Sequence, residues 1–285
     1  MSALVRSWSV GAGDMFYIYD VDNGGKLTVV DCCLTSDRKE EIVRELKDKE
    51  GRFRFISTHP DGDHIGGLSE ISAKIRAFWS VANAIKEKNP SDDMKAYCKL
   101  RNDKLTITAG SAIAIDGKQI GIDFLWPDEA NADFKAALKL AESDPEKYNN
   151  ISPIFTYTHA DGAKFMWMGD LSASFLEKIK DKVSWPRVTV LFAPHHGRDR
   201  VPTIILEKLC PKVIVIGEAQ KGDLEYYKKY TEICQNTAKD ILFECEGSSL
   251  HLYLSGVASE KVKGAVTRDE TRARYSRYVG TIGPI

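Results

Sequence analysis

Apolar and polar positions alternate along Leu4–Val10, Met15–Val21 and Lys26–Asp31, and glycine-containing turns separate the three runs. A two-residue period puts successive side chains on opposite faces, so each run predicts a half-buried strand. The period then changes. Over Ser36–Glu50, Ile42, Val43 and Leu46 share one helical face, Glu41 and Glu45 oppose it, and Gly51 follows as a C-cap. Phe53-Arg54-Phe55-Ile56 reads as a strand, Leu68–Arg76 as a short helix and Ala77–Val81 as a strand. Ser91–Arg101 and Glu129–Ser143 predict helices lying over sheets, with strands inside Ile113–Trp126. Ser152–His159 and Lys164–Met168 predict a hairpin turning on Asp161-Gly162. Ser174–Lys182 predicts a helix opened by a capping box from Ser174 to Glu177. Strands at Val188–Ala193 and Val213–Gly217, each with a helix after it, and strands near Ile241–Glu244 and Ser249–Leu254 complete the order. No solenoid period is present. Each half runs strands and then strand–helix units, which predicts an α/β fold of two sheets packed face to face with helices outside.

At 285 residues and 43% hydrophobic, the chain can bury one large core or two modest ones. No apolar run approaches the ~20 residues that span a membrane. Met1-Ser2-Ala3-Leu4-Val5-Arg6 lacks the pattern of a signal peptide, and six cysteines stand in no metal-binding spacing. The expectation is a cytoplasmic protein with reduced thiols and no membrane partner. A formal net charge of −1 excludes a molecule that binds nucleic acid by its overall charge, so any phosphate affinity must come from local patches. From Ala258 to Ile285 the chain turns polar and basic, with Lys261, Lys263, Arg268, Arg272, Arg274 and Arg277. The favoured reading is a solvated helix or tail; the sharper one is an arm that meets phosphate or a protein partner, including a second copy of the chain. The expected organisation is therefore a main domain over 1–257 and a basic C-terminal extension over 258–285.

The candidate chemistry lies in Thr58-His59-Pro60-Asp61-Gly62-Asp63-His64-Ile65-Gly66-Gly67, directly after the strand at Phe53–Ile56. Four ligand-type side chains, His59, Asp61, Asp63 and His64, fall within six positions, and Pro60 and Gly62 fold them around one point. Unpaired, these groups would repel or demand costly desolvation; around a divalent cation they are satisfied. Asp170 and His195-His196 each follow a predicted strand and can reach the same point. Successive residues of an extended chain point apart, so one of the pair is expected as the ligand, His195, with His196 beside the substrate. Asp63 and His196 are the candidates for the catalytic step itself. Asp31 is expected to orient a ligand from behind. His159 sits beside the hairpin turn and Asp170 at its open end, about 20 Å apart at ~3.3 Å per residue, so His159 is excluded.

This His/Asp loop resembles the H-x-H-x-D-H signature of the metallo-β-lactamase superfamily, with Asp61 where a second histidine is usual. The variant is similar to the metallo-β-lactamase domain of ComEC-type DNA-uptake channel proteins. Val10-Gly11-Ala12-Gly13-Asp14, Val29-Val30-Asp31, Asn149-Asn150-Ile151-Ser152, Met168-Gly169-Asp170 and Pro194-His195-His196-Gly197 resemble further family segments in order, from about Ser9 to about Leu254. Where relatives often carry G-H-P-S, this chain has Gly217-Glu218-Ala219-Gln220-Lys221-Gly222-Asp223, without histidine. The resemblance implies a four-layered αββα sandwich, one or two divalent ions bridged by Asp170, and action on nucleic acid. Asp61 moves the ligand set toward oxygen, favouring Mn²⁺, with Mg²⁺ or Zn²⁺ as alternatives. Such an ion lowers the pKa of bound water to roughly 7, so the leading expectation is a phosphodiesterase or nuclease using metal-activated hydroxide on DNA or RNA. Arg198, Arg200, Ser152 and Asn150 are the candidate substrate contacts, with Lys221, Lys228 and Lys229 nearby. The alternatives are a hydrolase of a small ester, lactone or thioester, and an inactive metal-binding or regulatory module.

Overall fold

The computed structural model describes residues 2–283 except 23, 35, 36, 104, 161 and 219–224. The chain opens with strands β1 (Ser2–Ser7), β2 (Phe16–Asp20), β3 (Lys26–Val30) and the two-residue β4 (Cys32–Cys33), then helix α1 (Lys39–Lys49). Next come β5 (Phe53–Ile56), single turns α2 (Gly62–Ile65) and α3 (Leu68–Ile71), β6 (Ile75–Ser80), α4 (Asp92–Asn102) and β7 (Leu105–Thr106). The middle carries β8 (Ala112–Ile115), β9 (Lys118–Trp126), α5 (Ala132–Ala141), β10 (Ile154–Thr158), β11 (Lys164–Trp167) and α6 (Ala173–Ile179). The remainder is β12 (Val190–Phe192), α7 (Thr203–Leu209), β13 (Val213–Ile216), β14 (Glu232–Cys234), α8 (Gln235–Ala238), β15 (Ile241–Glu246), β16 (Ser249–Leu254), α9 (Glu260–Gly264) and β17 (Tyr278–Ile282).

Two mixed sheets organise these elements. The nine-stranded sheet runs β17-β16-β15-β1-β2-β3-β5-β6-β7, and the seven-stranded sheet runs β14-β13-β12-β11-β10-β9-β8. Aromatic side chains of the two sheets meet between them: Phe16 against Trp167 and Phe192 at ring-centroid distances of 6.1 and 4.9 Å, and Phe165 against Phe243 at 5.7 Å. In each sheet an antiparallel part gives way to a parallel one, at β3–β5 in the first and β11–β12 in the second. Chain turns past the carboxyl ends of such strands are where an α/β sheet offers a site. Asp31 follows β3, His59 follows β5, Asp170 follows β11 and His195-His196 follow β12.

Three expectations change. Helix α6 is capped by Ser172, whose Oγ accepts from the Phe175 amide, and not by Ser174. Ser172 is fixed there because its hydroxyl and amide both donate to Asn150 Oδ1. Strands β15 and β16 do not close the second half. They pair with each other and β15 pairs with β1, so they extend the first sheet. The segment after 257 is only in part the solvated helix or tail expected: it holds the largely exposed α9, but its end returns to the first sheet, where β17 pairs antiparallel with β16. Arg272 of that segment reaches Glu244 at 2.6 Å and the Tyr253 hydroxyl at 3.0 Å, and also pairs with Glu246. The charge of Arg272 thus serves the fold, while Lys261, Lys263, Arg268, Arg274 and Arg277 stay exposed. The start of the predicted first helix at Ser36 and the Asp161 half of the hairpin turn lie outside the described residues.

Trp167 stacks on Phe155 at 5.1 Å and Phe192 at 4.7 Å and is almost fully buried where the sheets meet. Trp167→Ala is expected to cost about 3–5 kcal/mol, because it removes a large apolar side chain and leaves a cavity. Urea unfolding should show a lower midpoint with an unchanged slope; a midpoint within error of the wild type would mean the sheets do not depend on this contact.

Candidate metal centre

The loop from His59 to Gly67 is held by its own backbone. The amides of His64 and Ile65 both donate to the Asp61 carbonyl, which makes the single turn α2 and carries Asp63 and His64. The Asp63 carbonyl accepts from the Asp14 amide at 3.1 Å, so the β1–β2 connection is tied to this turn. Gly13 permits the approach: a Cβ there would lie 2.4 Å from the Asp63 carbonyl oxygen and 2.5 Å from Cys33 Sγ. The His195 amide donates to the Gly169 carbonyl at 3.0 Å, joining the loops after β11 and β12. Gly169 has φ +49°, and a Cβ on it would come 2.6 Å from Ser152.

Four imidazoles converge on Asp170. His64 Nε2 lies 3.2 Å from Asp170 Oδ1, while Nε2 of His196, His195 and His59 lies 3.4, 3.8 and 3.9 Å from Oδ2. Each ring is anchored through its other nitrogen. Nδ1 of His64 meets Asp31 at 2.9 Å, that of His196 meets Asp14 at 3.1 Å, and that of His195 meets Asp199 at 2.7 Å. His59 Nδ1 sits between the hydroxyls of Thr58 and Ser152, at 3.0 and 3.3 Å. This is how proteins orient metal-binding histidines, with the far nitrogen fixed by a carboxylate or hydroxyl. The inner atoms have no such partner: Nε2 of His59, His64 and His196 and Oδ1 of Asp170 are buried without a hydrogen bond. Unpaired buried polar atoms are costly, so their grouping at one point marks a place where a cation would satisfy them together.

Two sets of ligand-type groups share Asp170. Asp61 Oδ2 lies 3.4 Å from His59 Nε2 on one side. On the other, Asp63 lies 3.4 Å from His196 Nε2 and 4.0 Å from His64 Nε2. Asp14, His64, Asp170 and His196 each offer a ligand atom within 4.8 Å of the others, and all four are buried. The residues therefore could hold a metal ion: nitrogen and oxygen donors only, already oriented, with their open atoms facing inward.

All six ligand candidates, His59, Asp61, Asp63, His64, Asp170 and His195, thus come together, and His196 with them. The expectation that only one histidine of the pair faces inward rests on extended-chain alternation. His195 and His196 instead have φ 51° and 55°, and two consecutive left-handed residues turn both rings toward Asp170. His196 is the deeper of the two; the His195 side chain keeps 26% exposure. Asp31 holds His64 and also accepts from the Thr58 amide and hydroxyl at 2.8 and 2.7 Å. Ser152 is fully buried and its Oγ accepts from the Asp170 amide, so it braces ligands and cannot meet a substrate. Asn150 is committed to Ser172. Arg198 is half-buried and Arg200 exposed, on the chain leaving the histidine pair. His159 stands apart, its Nδ1 3.4 Å from the Tyr157 hydroxyl at the far end of β10. Lys221 lies outside the described residues. Asp14 stands in the Val10–Asp14 segment noted for its resemblance, but its role and that of Asp199 escape a reading of the sequence, since only tertiary pairing with His196 and His195 shows them; a lone Asp four residues after a histidine is a weak signal.

Without a cation the cluster is a tight charge balance. Burial alone would lower the pKa of His64, but Asp170 and Asp31 reverse this and hold it well above its ordinary 6.5. Burial of His196 is likewise outweighed by Asp14, Asp170 and Asp63, which push it up. Burial would raise Asp170, yet His64 and His196 keep it well below the usual carboxylate range. Burial also opposes ionisation of Asp63, and His196 overcomes it. Asp199 is lowered by its hydrogen bond with His195.

His196→Ala and His59→Ala should lower bound metal measured by elemental analysis, and His195→Ala, whose ring is at the rim, should lower it less; full metal content in His196→Ala would refute the inward assignment. Metal uptake must also displace protons. Isothermal titration with Mn²⁺ or Zn²⁺ in buffers of different ionisation enthalpy at pH 8 should show net proton release, though ordinary imidazoles are already neutral there. The raised histidines stabilise the metal-free fold fully below about pH 6.5, and that stability is lost as pH rises through their folded pKa values. The melting temperature of the metal-free protein should therefore fall on the alkaline side, and metal should abolish the fall. A search with family models matches none to this chain, and no curated protein matches it, so what the centre does has to be argued from its own residues.

Proposed function

We propose that this chain is a metal-dependent hydrolase of phosphodiesters, with DNA or RNA as its substrate, on the four-layered αββα frame of the metallo-β-lactamase superfamily. One observation carries the reading: four imidazoles, each fixed at Nδ1, turn their Nε2 atoms toward Asp170 in a buried pocket of unpaired donors. His59, Asp61 and His195 would hold one ion, and Asp63, His64 and His196 a second, with Asp170 common to both. Asp61 adds an oxygen donor and favours Mn²⁺ over Zn²⁺. Ions held there supply Lewis acidity toward a phosphoryl oxygen and bring the pKa of water to roughly 7.

The chain's own groups do the rest. Asp170 is a fixed negative charge, kept ionised by His64 and His196, so the pocket is arranged before substrate arrives. Asp63 and His195 keep 37% and 26% side-chain exposure, so both can face a bound phosphodiester from the rim. Asp199 receives the Ala173 amide at 3.0 Å and holds His195 through its other oxygen, which keeps that ring at a set angle. Arg198 and Arg200, directly downstream, supply cations for the two flanking phosphates; an ester or lactone substrate has no use for them.

A metal-loaded preparation tested on single- and double-stranded DNA, RNA, small phosphodiesters, esters and lactones examines the proposal. Asp170→Asn should cut turnover about 10²- to 10³-fold while KM changes little, because the loss falls on transition-state charge. Arg198→Ala and Arg200→Ala should raise KM and reduce the salt slope of binding by about one each. Cleavage of esters or lactones with every phosphodiester left intact would overturn the substrate class.

A further inference from the structure

Downstream of the histidine pair the surface changes character. A pocket of about 300 Å³ is lined by the cations Arg200, Lys228 and Lys229, the carboxylate Glu225, and Tyr226 and Tyr230. Glu225 is spent on Lys228 at 2.6 Å, and Arg200 on a neutral hydroxyl, that of Thr203, at 3.2 Å. The lining therefore keeps net positive charge in a molecule whose formal net charge is −1. Tyr226 is 43% exposed, a large ring presented to solvent beside those cations, and Tyr230 is half-buried.

Between the two tyrosines, Tyr227 turns inward and is fully buried. Its hydroxyl donates to the Asp199 carbonyl at 2.7 Å and accepts from the Val201 amide at 3.2 Å. Asp199 is the residue that fixes His195. The aromatic and basic segment is thus bolted to the loop that carries the metal-facing histidines. Arg200 is five residues from His195, no more than about 18 Å along the chain.

Resting on the phosphodiester reading above, we infer that this pocket is a recognition subsite for single-stranded nucleic acid on the flank of the metal centre. Cations beside an exposed aromatic ring such as Tyr226 track a backbone and stack bases. In a duplex the base faces are already stacked on one another, so Tyr226 and Tyr230 would find nothing to grip and only the cations would contribute. Tyr227 acts as a positioning residue that fixes the distance between the gripped strand and His195.

The test is fluorescence anisotropy with a labelled 12-nucleotide single strand and the matching 12-base-pair duplex. It uses the Asp170→Asn chain, repeated with the wild type in EDTA to keep the probe intact. The single strand should bind at least 10-fold tighter than the duplex. Tyr226→Ala, a surface change, should weaken the single strand about 10-fold and leave the duplex unchanged, and Lys229→Ala should weaken both. Equal affinity for the two probes, or a Tyr226→Ala chain that binds the single strand like its parent, overturns the inference. Wild-type hydrolysis of bis(4-nitrophenyl) phosphate, which offers no base to stack, reports on the hydrolase reading alone. Its absence would defeat that reading while the binding comparison still decides the subsite.

Discussion

A buried carboxylate surrounded by imidazoles has to be balanced, and much of this fold is arranged around that requirement. Asp170 is almost fully shielded from water, and four histidines face it at 3.2–3.9 Å. An isolated buried charge of this kind is heavily penalised. The chain bears the cost through anchors that are themselves well satisfied: Asp31, Asp14 and Asp199 on Nδ1 atoms, Thr58 and Ser152 on His59. These groups come from loops after β3, β5, β11 and β12, from the β1–β2 connection and from the turn that enters β10. The two sheets must therefore be locked face to face for the centre to exist. The Phe16, Trp167 and Phe192 contacts supply that lock beside the site.

The same geometry separates support from chemistry. Side chains with both polar ends engaged, such as Asp31 and Ser152, are committed to holding others. Groups with one end anchored and the other unpaired, His59, His64 and His196, are the ones a cation would complete. His195 shares the anchoring but keeps partial exposure, which puts it where the buried cluster meets solvent. The Tyr227 bridge to Asp199 then carries the order of the centre outward, to the flank where Arg200, Lys229 and Tyr226 lie.

The His59–His64 loop is legible in the sequence because its ligands are contiguous and a single strand end delivers them. Strands such as β2, β3, β5 and β16 are legible because each is a short apolar or alternating run ended by turn residues. The roles of Asp14 and Asp199 are not, since an isolated carboxylate takes its meaning from a partner 182 residues away or across one turn. The histidine pair misleads for a local reason: alternation holds only for extended backbone, and both residues are left-handed. Strand β17 hides among arginines. It is only partly buried, and its partner lies on a hairpin that leaves the second half to join the first sheet. Arg272 looks like part of a basic arm until Glu244 and Glu246 are seen beside it.

The most direct measurement is anomalous X-ray diffraction from crystals of the Mn²⁺- or Zn²⁺-loaded chain, collected on both sides of the metal absorption edge. The account predicts one or two anomalous peaks within coordination distance of Asp170, ringed by Nε2 atoms of the four histidines, with Nδ1 contacts to Asp31, Asp14 and Asp199 intact. Ligand distances should fall near 2.0–2.2 Å. A map with no peak there at saturating metal, or peaks only at surface residues while the four imidazoles stay turned on Asp170, would contradict it.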